Sequence, residues 1–232
     1  MNYAVVIPAA GQGRRMQAAV NKAFLTLQGR PIIAHTLAVF QADPRCERIV
    51  LVASENELDE MQALAEEAGA TKADRVVAGG SERQDSVRAG AAQVMDAPLL
   101  LVHDGARPFV AIERIHALLL EAEQSGAALL AVPATDTIKQ VDQEGRVKQT
   151  LKRSELWAAQ TPQAFRPEVL QQAYAYADET GFQGTDDVSL VEAAGGEVAV
   201  VEGDYDNIKL TTPEDMTLAE AILAKRAGEA GT

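Results

Sequence analysis

Short apolar runs rich in β-branched residues alternate along this chain with longer amphipathic segments. The strand-like runs are residues 3–7, 48–53, 74–78, 98–103, 127–133 and 197–202. Segments with apolar residues at helical spacing lie between several of them, at 31–42, 55–68, 81–95 and 111–125. Strands separated by helices need crossover connections, which build a mostly parallel sheet covered by helices on both faces. We therefore predict a three-layer α/β fold in a single domain spanning residues 1–232.

The first of these runs leads into a loop with the composition of a phosphate site. The loop reads Pro8-Ala9-Ala10-Gly11-Gln12-Gly13, and the cations Arg14, Arg15 and Lys22 follow it. Small side chains let backbone N–H groups approach an anion closely. The loop has neither the Gly-Lys-Ser/Thr ending of a Walker loop nor the third small residue of a Rossmann fingerprint, because Met16 stands there. It is either a polyphosphate loop of another kind or a simple turn followed by solvated arginines.

Charge and cysteine content limit the classes of partner and compartment. The formal net charge is −13, which argues against nucleic acid or an anionic membrane as a partner, since either requires a basic face. Cys46 is the one cysteine, so no internal disulfide can form. No apolar run approaches the length of a membrane span, and the N-terminus opens directly into a strand. We expect a cytoplasmic enzyme.

Polar groups follow two of the predicted strands where they end. Gly80 comes after the run 74–78, and Asp104 comes after 98–103. The carboxyl ends of parallel strands share one sheet edge, so both should lie beside the first loop. An acid there suits Mg²⁺, which takes one or two carboxylates together with phosphate oxygens. The alternative is that Asp104 serves as a turn or capping residue. The pattern Ser81-x-x-Gln84 predicts a capping box at the start of the helix that follows.

One stretch, residues 136–153, interrupts the alternation. Two runs of alternating polar residues flank a turn at Gly145, which is typical of a β-hairpin. A two-stranded ribbon with little apolar surface is marginally stable by itself. We expect this arm to pack on a second subunit, so that the protein is a homodimer. The alternative is that the hairpin packs on its own domain.

Several motifs together resemble a known family, the 2-C-methyl-D-erythritol 4-phosphate cytidylyltransferases of the non-mevalonate route to isoprenoids. The matching stretches are 8–16, Lys22, 79–87, 103–108, 136–139, 161–163, 185–187 and 206–209, in the family's order along nearly the whole chain. Two departures occur. Asn21-Lys22-Ala23 stands where the family usually has Pro-Lys-Gln, and Gly105 replaces an alanine.

The resemblance implies a Rossmann-like nucleotidyltransferase fold with a protruding β-hairpin arm, and transfer of CMP from CTP to a polyol phosphate with Mg²⁺. It implies that Arg15 and Lys22 stabilise the transition state, while Arg153 and Lys209 position the incoming phosphate. The implied nucleotide-binding residues are Pro8, Ala9, Ala10, Gly11, Gly13, Gly80, Ser86, Asp104 and Gly105. The implied polyol-phosphate residues are Asp104, Arg107, Thr137, Arg153 and Lys209, with Thr137 and Arg153 acting across the dimer. Two alternatives stay open: a sister enzyme that uses ribitol 5-phosphate, and a non-catalytic nucleotide sensor.

Overall fold

The computed structural model describes residues 1–11 and 21–230, with the backbone alone at 22, 229 and 230. A seven-stranded sheet forms its centre. The strands are β1 Tyr3–Pro8, β4 Cys46–Ala53, β5 Arg75–Ala78, β6 Leu100–Val102, β7 Ala127–Pro133, β10 Trp157–Phe165 and β11 Ala199–Glu202, in the spatial order β11-β7-β10-β6-β1-β4-β5. Two small pairs stand apart from it, β2 Thr26–Leu27 with β3 Arg30–Pro31, and β8 Lys139–Val141 with β9 Val147–Thr150.

Helices cover both faces of the sheet. They are α1 Ile32–Ala42, α2 Leu58–Glu67, α3 Arg83–Ala91, α4 Ile112–Ser125, α5 Pro167–Thr180, α6 Asp187–Ala193 and α7 Pro213–Ala230. Alternate residues of β1 enter opposite cores: Val5 and Ile7 pack with α1, α2 and α4, whereas Val6 packs with α3, α5 and α6. Both faces of β1 are therefore buried, which explains why its sequence is a continuous apolar run. The predicted three-layer α/β fold is confirmed.

The sheet is mostly parallel, as predicted, with one exception. β1 pairs in parallel with β4 on one side and with β6 on the other, and β7 pairs in parallel with β11. β10 runs antiparallel between β6 and β7. Because the chain leaves β1 toward β4 and β5 and returns to β6 on its other side, the strand order reverses at β1. The carboxyl end of β1 is the place where open sheets of this kind bind ligands.

Helix α3 packs closely on the sheet. Gly90 lies so close to the sheet that a Cβ atom there would come within 2.5 Å of Val6 Cγ1 and 2.7 Å of Val52 Cγ2.

The predicted capping box at the start of α3 is one residue out of place. Glu82 is the N-cap, and the carboxylate of Asp85 accepts a hydrogen bond from the Glu82 backbone N–H at 3.2 Å. Asp85 takes the role predicted for Gln84 because the helix begins one residue later than predicted, which makes Asp85 its third residue.

The predicted hairpin is present as β8 and β9. Asp142 fixes its turn, because its Oδ1 accepts hydrogen bonds from the N–H groups of Glu144 and Arg146 at 3.1 and 2.8 Å. Gly145 adopts a φ of +78°, the left-handed region that glycine enters at least cost. Apart from the half-buried Asp142, every residue from 135 to 150 is exposed. The arm therefore projects from the domain. Within the described part of the chain, no helix has the length and apolar character to cross a membrane.

Candidate active site

A cleft opens at the carboxyl ends of β1, β5 and β6. Its lining comes from five segments: the loop after β1, the turn at residues 21–24, the start of α3 with the turn before it, the loop after β6 and the segment before α7. The lining residues are Pro8, Ala9, Ala10, Gly11, Asn21, Ala23, Gly80, Ser81, Glu82, Arg83, Ser86, Asp104, Gly105, Ala106 and Lys209. Eight of the nine predicted nucleotide-binding residues are among them. The ninth, Gly13, lies outside the described residues, as does Arg15.

Backbone hydrogen bonding fixes the loop after β1. The Ala9 N–H donates to the Val52 carbonyl at 2.7 Å, which extends the pairing of β1 with β4 beyond Pro8. The Ser54 hydroxyl donates to the Ala10 carbonyl at 3.2 Å. This end of the strand is therefore anchored to the sheet while its small side chains face the cleft. Lys22 begins a short 3-10 turn, Lys22–Phe24. The residues before and after Lys22, Asn21 and Ala23, line the same cleft.

The turn before α3 is equally constrained. The Ser86 hydroxyl accepts a hydrogen bond from the Gly80 N–H at 3.2 Å and donates to the Glu82 carbonyl at 3.1 Å. A Cβ atom on Gly80 would lie 2.3 Å from Asp85 Cβ, and one on Gly79 would lie 2.7 Å from the Ser86 hydroxyl oxygen. Both positions therefore require glycine, so that this turn can fold tightly against the first turn of α3.

Asp104 is the electrostatic centre of the cleft. It is 7% exposed, and its Oδ2 lies 2.8 Å from Lys209 Nζ and 3.4 Å from Arg107 Nε. Arg83 Nη2 lies 3.8 Å from Oδ1. Burial by itself favours the neutral acid, but Lys209, Arg83 and Arg107 hold the pKa of Asp104 well below its usual range. One ionised carboxylate and three cations thus meet at the sheet edge, an arrangement suited to binding phosphates.

A chain of buried hydrogen bonds holds Asp104 in place. The Asp104 backbone N–H donates to the Thr161 hydroxyl oxygen at 3.0 Å, and that hydroxyl lies 3.2 Å from His103 Nδ1. His103 Nε2 donates to the Arg107 carbonyl at 2.9 Å. Burial lowers the pKa of His103 to about 4, so the ring is neutral at pH 7 and Nδ1 accepts from Thr161. His103 is therefore a hydrogen-bonded core residue.

Lys209 owes its position to the residues on either side of it. Leu210 is fully buried, and its N–H donates to the Ala106 carbonyl at 2.9 Å. Asn207 donates through Nδ2 to the Thr161 carbonyl at 2.9 Å, and its own carbonyl accepts from Arg107 Nη1 at 2.7 Å. The segment carrying Lys209 is therefore attached to the loop after β6 and to β10, which brings the ammonium group to Asp104.

Arg83 is a cleft residue that our sequence reasoning missed. Its Nη1 lies 2.7 Å from Oδ2 of Asp187, a carboxylate with no exposed surface at the start of α6. Burial opposes the charge, but Asp187 and Asp104 together raise the pKa of Arg83. The two partners are 104 residues apart in sequence. The only signals available were their membership of two matching motifs, 79–87 and 185–187.

The two predicted residues of the arm lie away from this cleft. Thr137 and Arg153 are exposed, and Arg153 Nη1 donates to the Thr135 carbonyl at 3.0 Å. Neither lines the cleft of its own chain. This separation accords with a contribution to another subunit's site, which stays a prediction.

Comparison with known proteins identifies the family. The family model described as IspD, 2-C-methyl-D-erythritol 4-phosphate cytidylyltransferase, matches residues 3–225. The chain belongs to this family. A relative of that name from Halalkalibacterium halodurans is 54% identical over 97% of this chain and 99% of its own, and one from Bacillus licheniformis is 53% identical over 96% of both.

Solved structures agree with this membership of the 2-C-methyl-D-erythritol 4-phosphate cytidylyltransferase family. The cytidylyltransferase of that name from Thermus thermophilus matches with a TM-score of 0.77 and 34% identity, over 96% of this chain and 98% of its own. A 4-diphosphocytidyl-2C-methyl-D-erythritol synthase from Anaerococcus prevotii matches with a TM-score of 0.84 and 30% identity over 96% of both chains. The resemblance inferred from motifs is therefore confirmed across the whole fold.

Proposed function

We propose that this chain transfers CMP from CTP to 2-C-methyl-D-erythritol 4-phosphate, with release of pyrophosphate, in isoprenoid precursor biosynthesis. Family membership supports the reaction. The observation that carries it is the meeting of Lys209, Arg107 and Arg83 at Asp104, beside a small-residue loop at the sheet edge. A site of this kind stabilises phosphate charge, as a reaction between two phosphate groups requires.

The ionisation of the nucleophile explains why the reaction needs no general base among the described side chains. The second ionisation of a phosphate monoester lies near pH ~6, so the attacking oxygen is already anionic at neutral pH. That oxygen forms a bond to the α-phosphorus of CTP, and the bond from this phosphorus to the bridging oxygen of the β-phosphate breaks. The enzyme must hold two anions in line and stabilise the charge on the equatorial and leaving oxygens. We assign the first task to Lys209 and Arg153, and the second to Arg15 and Lys22.

We assign the nucleotide base and ribose to the loop after β1 and the turn before α3. Ala9, Ala10 and Gly11 offer backbone groups with little side-chain bulk, and Gly80 and Ser86 face them across the cleft. The tight packing of Gly79 and Gly80 on α3 leaves the shape of this wall little freedom. A narrow pocket read by fixed backbone groups suits a pyrimidine better than a purine.

We propose Mg²⁺ as the cofactor, with Asp104 as its protein ligand. Asp104 is ionised and lies at the carboxyl end of β6, and Mg²⁺ prefers ionised oxygen ligands of this kind. Among residues 1–11 and 21–230, no group of three or more His, Cys, Asp or Glu side chains is placed to hold an ion by itself. The residues therefore fit an ion that takes its other ligands from phosphate oxygens and water. When bound, the ion would neutralise charge on the transferring phosphate.

We propose further that the protein works as a cytoplasmic homodimer whose arm reaches the partner's cleft. The arm exposes the apolar side chains of Ile138, Val141 and Val147, and Trp157 at the base of the arm is also exposed. These are side chains that a partner surface would cover. The lone Cys46 is buried and unpaired, which suits a reducing compartment.

Subunit mixing tests the shared site. Lys22→Ala and Arg153→Ala should each be nearly inactive as homodimers. If the arm acts in trans, a heterodimer has one site with both defects and one site with none, so activity returns to at most half of wild type. If the arm acts within its own chain, each site carries one defect, and mixtures stay inactive although native mass spectrometry detects heterodimers.

Pyrophosphate release tests the reaction itself. CTP, UTP, ATP and GTP are each assayed with 2-C-methyl-D-erythritol 4-phosphate, ribitol 5-phosphate or no acceptor. We expect turnover with CTP and the methylerythritol phosphate only. Preference for ribitol 5-phosphate would identify the sister activity, and nucleotide binding without turnover would identify a sensor.

A further inference from the structure

Asn21, the residue before Lys22, has an environment that is built around its amide. It is 6% exposed, and its Nδ2 donates to the Ala9 carbonyl at 2.7 Å and to Glu57 Oε2 at 2.9 Å. Its Oδ1 accepts from the Ala23 N–H at 3.1 Å. One side chain thus joins three separate segments: the loop after β1, the turn that carries Lys22, and the turn before α2.

These contacts fix the backbone on both sides of Lys22. The Asn21 carbonyl accepts from the Phe24 N–H at 3.0 Å, while the Asn21 side chain holds the N–H of Ala23. The Ala9 end of the Asn21–Ala9 hydrogen bond is also fixed, because the Ala9 N–H donates to the Val52 carbonyl of β4. Asn21 is therefore held at a point defined by hydrogen bonds to the carboxyl end of β1.

The hydrogen-bond partners around Asn21 match a side-chain amide held in one orientation. Nδ2 faces two acceptors and Oδ1 faces a donor, which is the pattern of an amide. A carboxylate of the same shape would keep the bond to the Ala23 N–H but would oppose the Ala9 carbonyl and the Glu57 carboxylate. Proline, the residue usual in the family at this position, offers none of these groups. In this chain the side-chain amide of Asn21 therefore holds the turn.

We propose that Asn21 is a positioning residue for the transfer reaction, and that Glu57 supports it. The amide of Asn21 holds the backbone of Lys22 at the β1 end of the cleft, where Lys22 can act on the α-phosphate. The inference rests on the proposed function, in which Lys22 stabilises the transition state. Asn21 itself takes no part in the chemistry.

An exchange of charge between the two partners tests the contact. Asn21→Asp should lower kcat by roughly tenfold, because a transition-state contact is misplaced, with a smaller change in the KM for CTP. Glu57→Gln should stay near wild type, since its amide oxygen still accepts from Asn21. The double variant should recover part of the lost kcat, because the new amide at position 57 can donate to the new carboxylate at position 21. Absence of any recovery would overturn the role of Glu57.

A double-mutant cycle with Lys22→Ala separates positioning from a general loss of structure. If Asn21 acts through Lys22, Asn21→Asp should have little further effect on kcat in the Lys22→Ala background. An undiminished tenfold loss there, or an unchanged kcat for Asn21→Asp alone, would overturn the inference while the role of Lys22 stands. If Lys22→Ala itself leaves kcat unchanged, the assigned role of Lys22 fails first, and the inference fails with it.

Urea unfolding of every variant completes the test. Where Asn21→Asp does not fold, Glu57→Ala replaces it, because it removes a single contact of the Asn21 amide. We then expect a few-fold lower kcat for Glu57→Ala, and an unchanged kcat would overturn the inference.

Discussion

Replacing Gly90 by alanine tests whether α3 is held against the sheet as tightly as the structure indicates. Gly90 is a helical residue, so alanine would normally be favoured by ~1 kcal/mol. Here the new methyl group would lie 2.5 Å from Val6 Cγ1 and 2.7 Å from Val52 Cγ2. Both valines are fully buried on central strands and have little rotamer freedom. Since carbon atoms prefer ~3.5–4.0 Å, the helix or the valines must move by about 1 Å.

The magnitude follows from two opposing effects. Overpacking of a filled core costs ~1–3 kcal/mol, and two contacts with stiff side chains place this case in the upper half of that range. After subtracting ~1 kcal/mol for helix propensity, we expect Gly90→Ala to destabilise the protein by about 1–2 kcal/mol. Gly228 in α7 provides the matched control, because a Cβ atom there meets nothing within 4 Å. Gly228→Ala should be neutral or slightly stabilising.

Urea unfolding measures both variants under the same conditions. The structure predicts opposite signs for the same chemical change in two helices. Ser86 lies one turn before Gly90 and lines the cleft, so Gly90→Ala should also raise the KM for CTP, whereas Gly228→Ala should not. A Gly90→Ala protein as stable as wild type, with an unchanged KM, would refute the packing of α3 described above.

Three further predictions concern single carboxylates. Asp104→Asn should leave the fold intact and weaken turnover that depends on Mg²⁺; an unchanged Mg²⁺ titration would rule out Asp104 as the ligand. Asp187→Asn should raise the KM for CTP by roughly tenfold, equivalent to ~1.4 kcal/mol, by releasing Arg83 from its place in the cleft; an unchanged KM in steady-state assays would show that Arg83 does not contact the nucleotide. Burial opposes ionisation of Asp43, but hydrogen bonds from His116, the Arg45 N–H and Tyr3 hold its pKa below the ordinary value. Stability linked to Asp43 is therefore present above an unfolded pKa of ~3.9 and is lost as the pH falls below it, so wild type should lose stability more steeply than Asp43→Asn in urea titrations between pH ~5 and ~2.5.

Sequence periodicity predicted most of the sheet because the strands β1, β4, β6 and β7 are largely buried on both faces and are therefore mainly apolar. β10 escaped prediction for a physical reason. Pro162 interrupts its sequence, and proline within a run argues against a central strand. In the structure, the pairing of β10 with β7 is irregular between Ala159 and Gln163, so the missing N–H of Pro162 falls where regular pairing is suspended.

The site was predictable to the extent that it depends on strand ends. Gly80 and Asp104 could be assigned to one sheet edge because parallel strands end together. Arg83 and Asn21 could not, because their roles depend on partners such as Asp187 and Glu57 that only the folded chain brings near. Arginine at the start of a helix and asparagine in a loop are common on surfaces, and no local pattern distinguishes those that face a cleft.

The most direct test of the central claim is ³¹P NMR of one equivalent of CTP with one of 2-C-methyl-D-erythritol 4-phosphate, Mg²⁺ and a catalytic amount of this protein. Attack by the acceptor phosphate on the α-phosphorus predicts two mutually coupled resonances of a new diphosphate diester, together with free pyrophosphate in equal amount. Formation of CDP or orthophosphate, release of CMP without coupled resonances, or an unchanged spectrum would contradict the account.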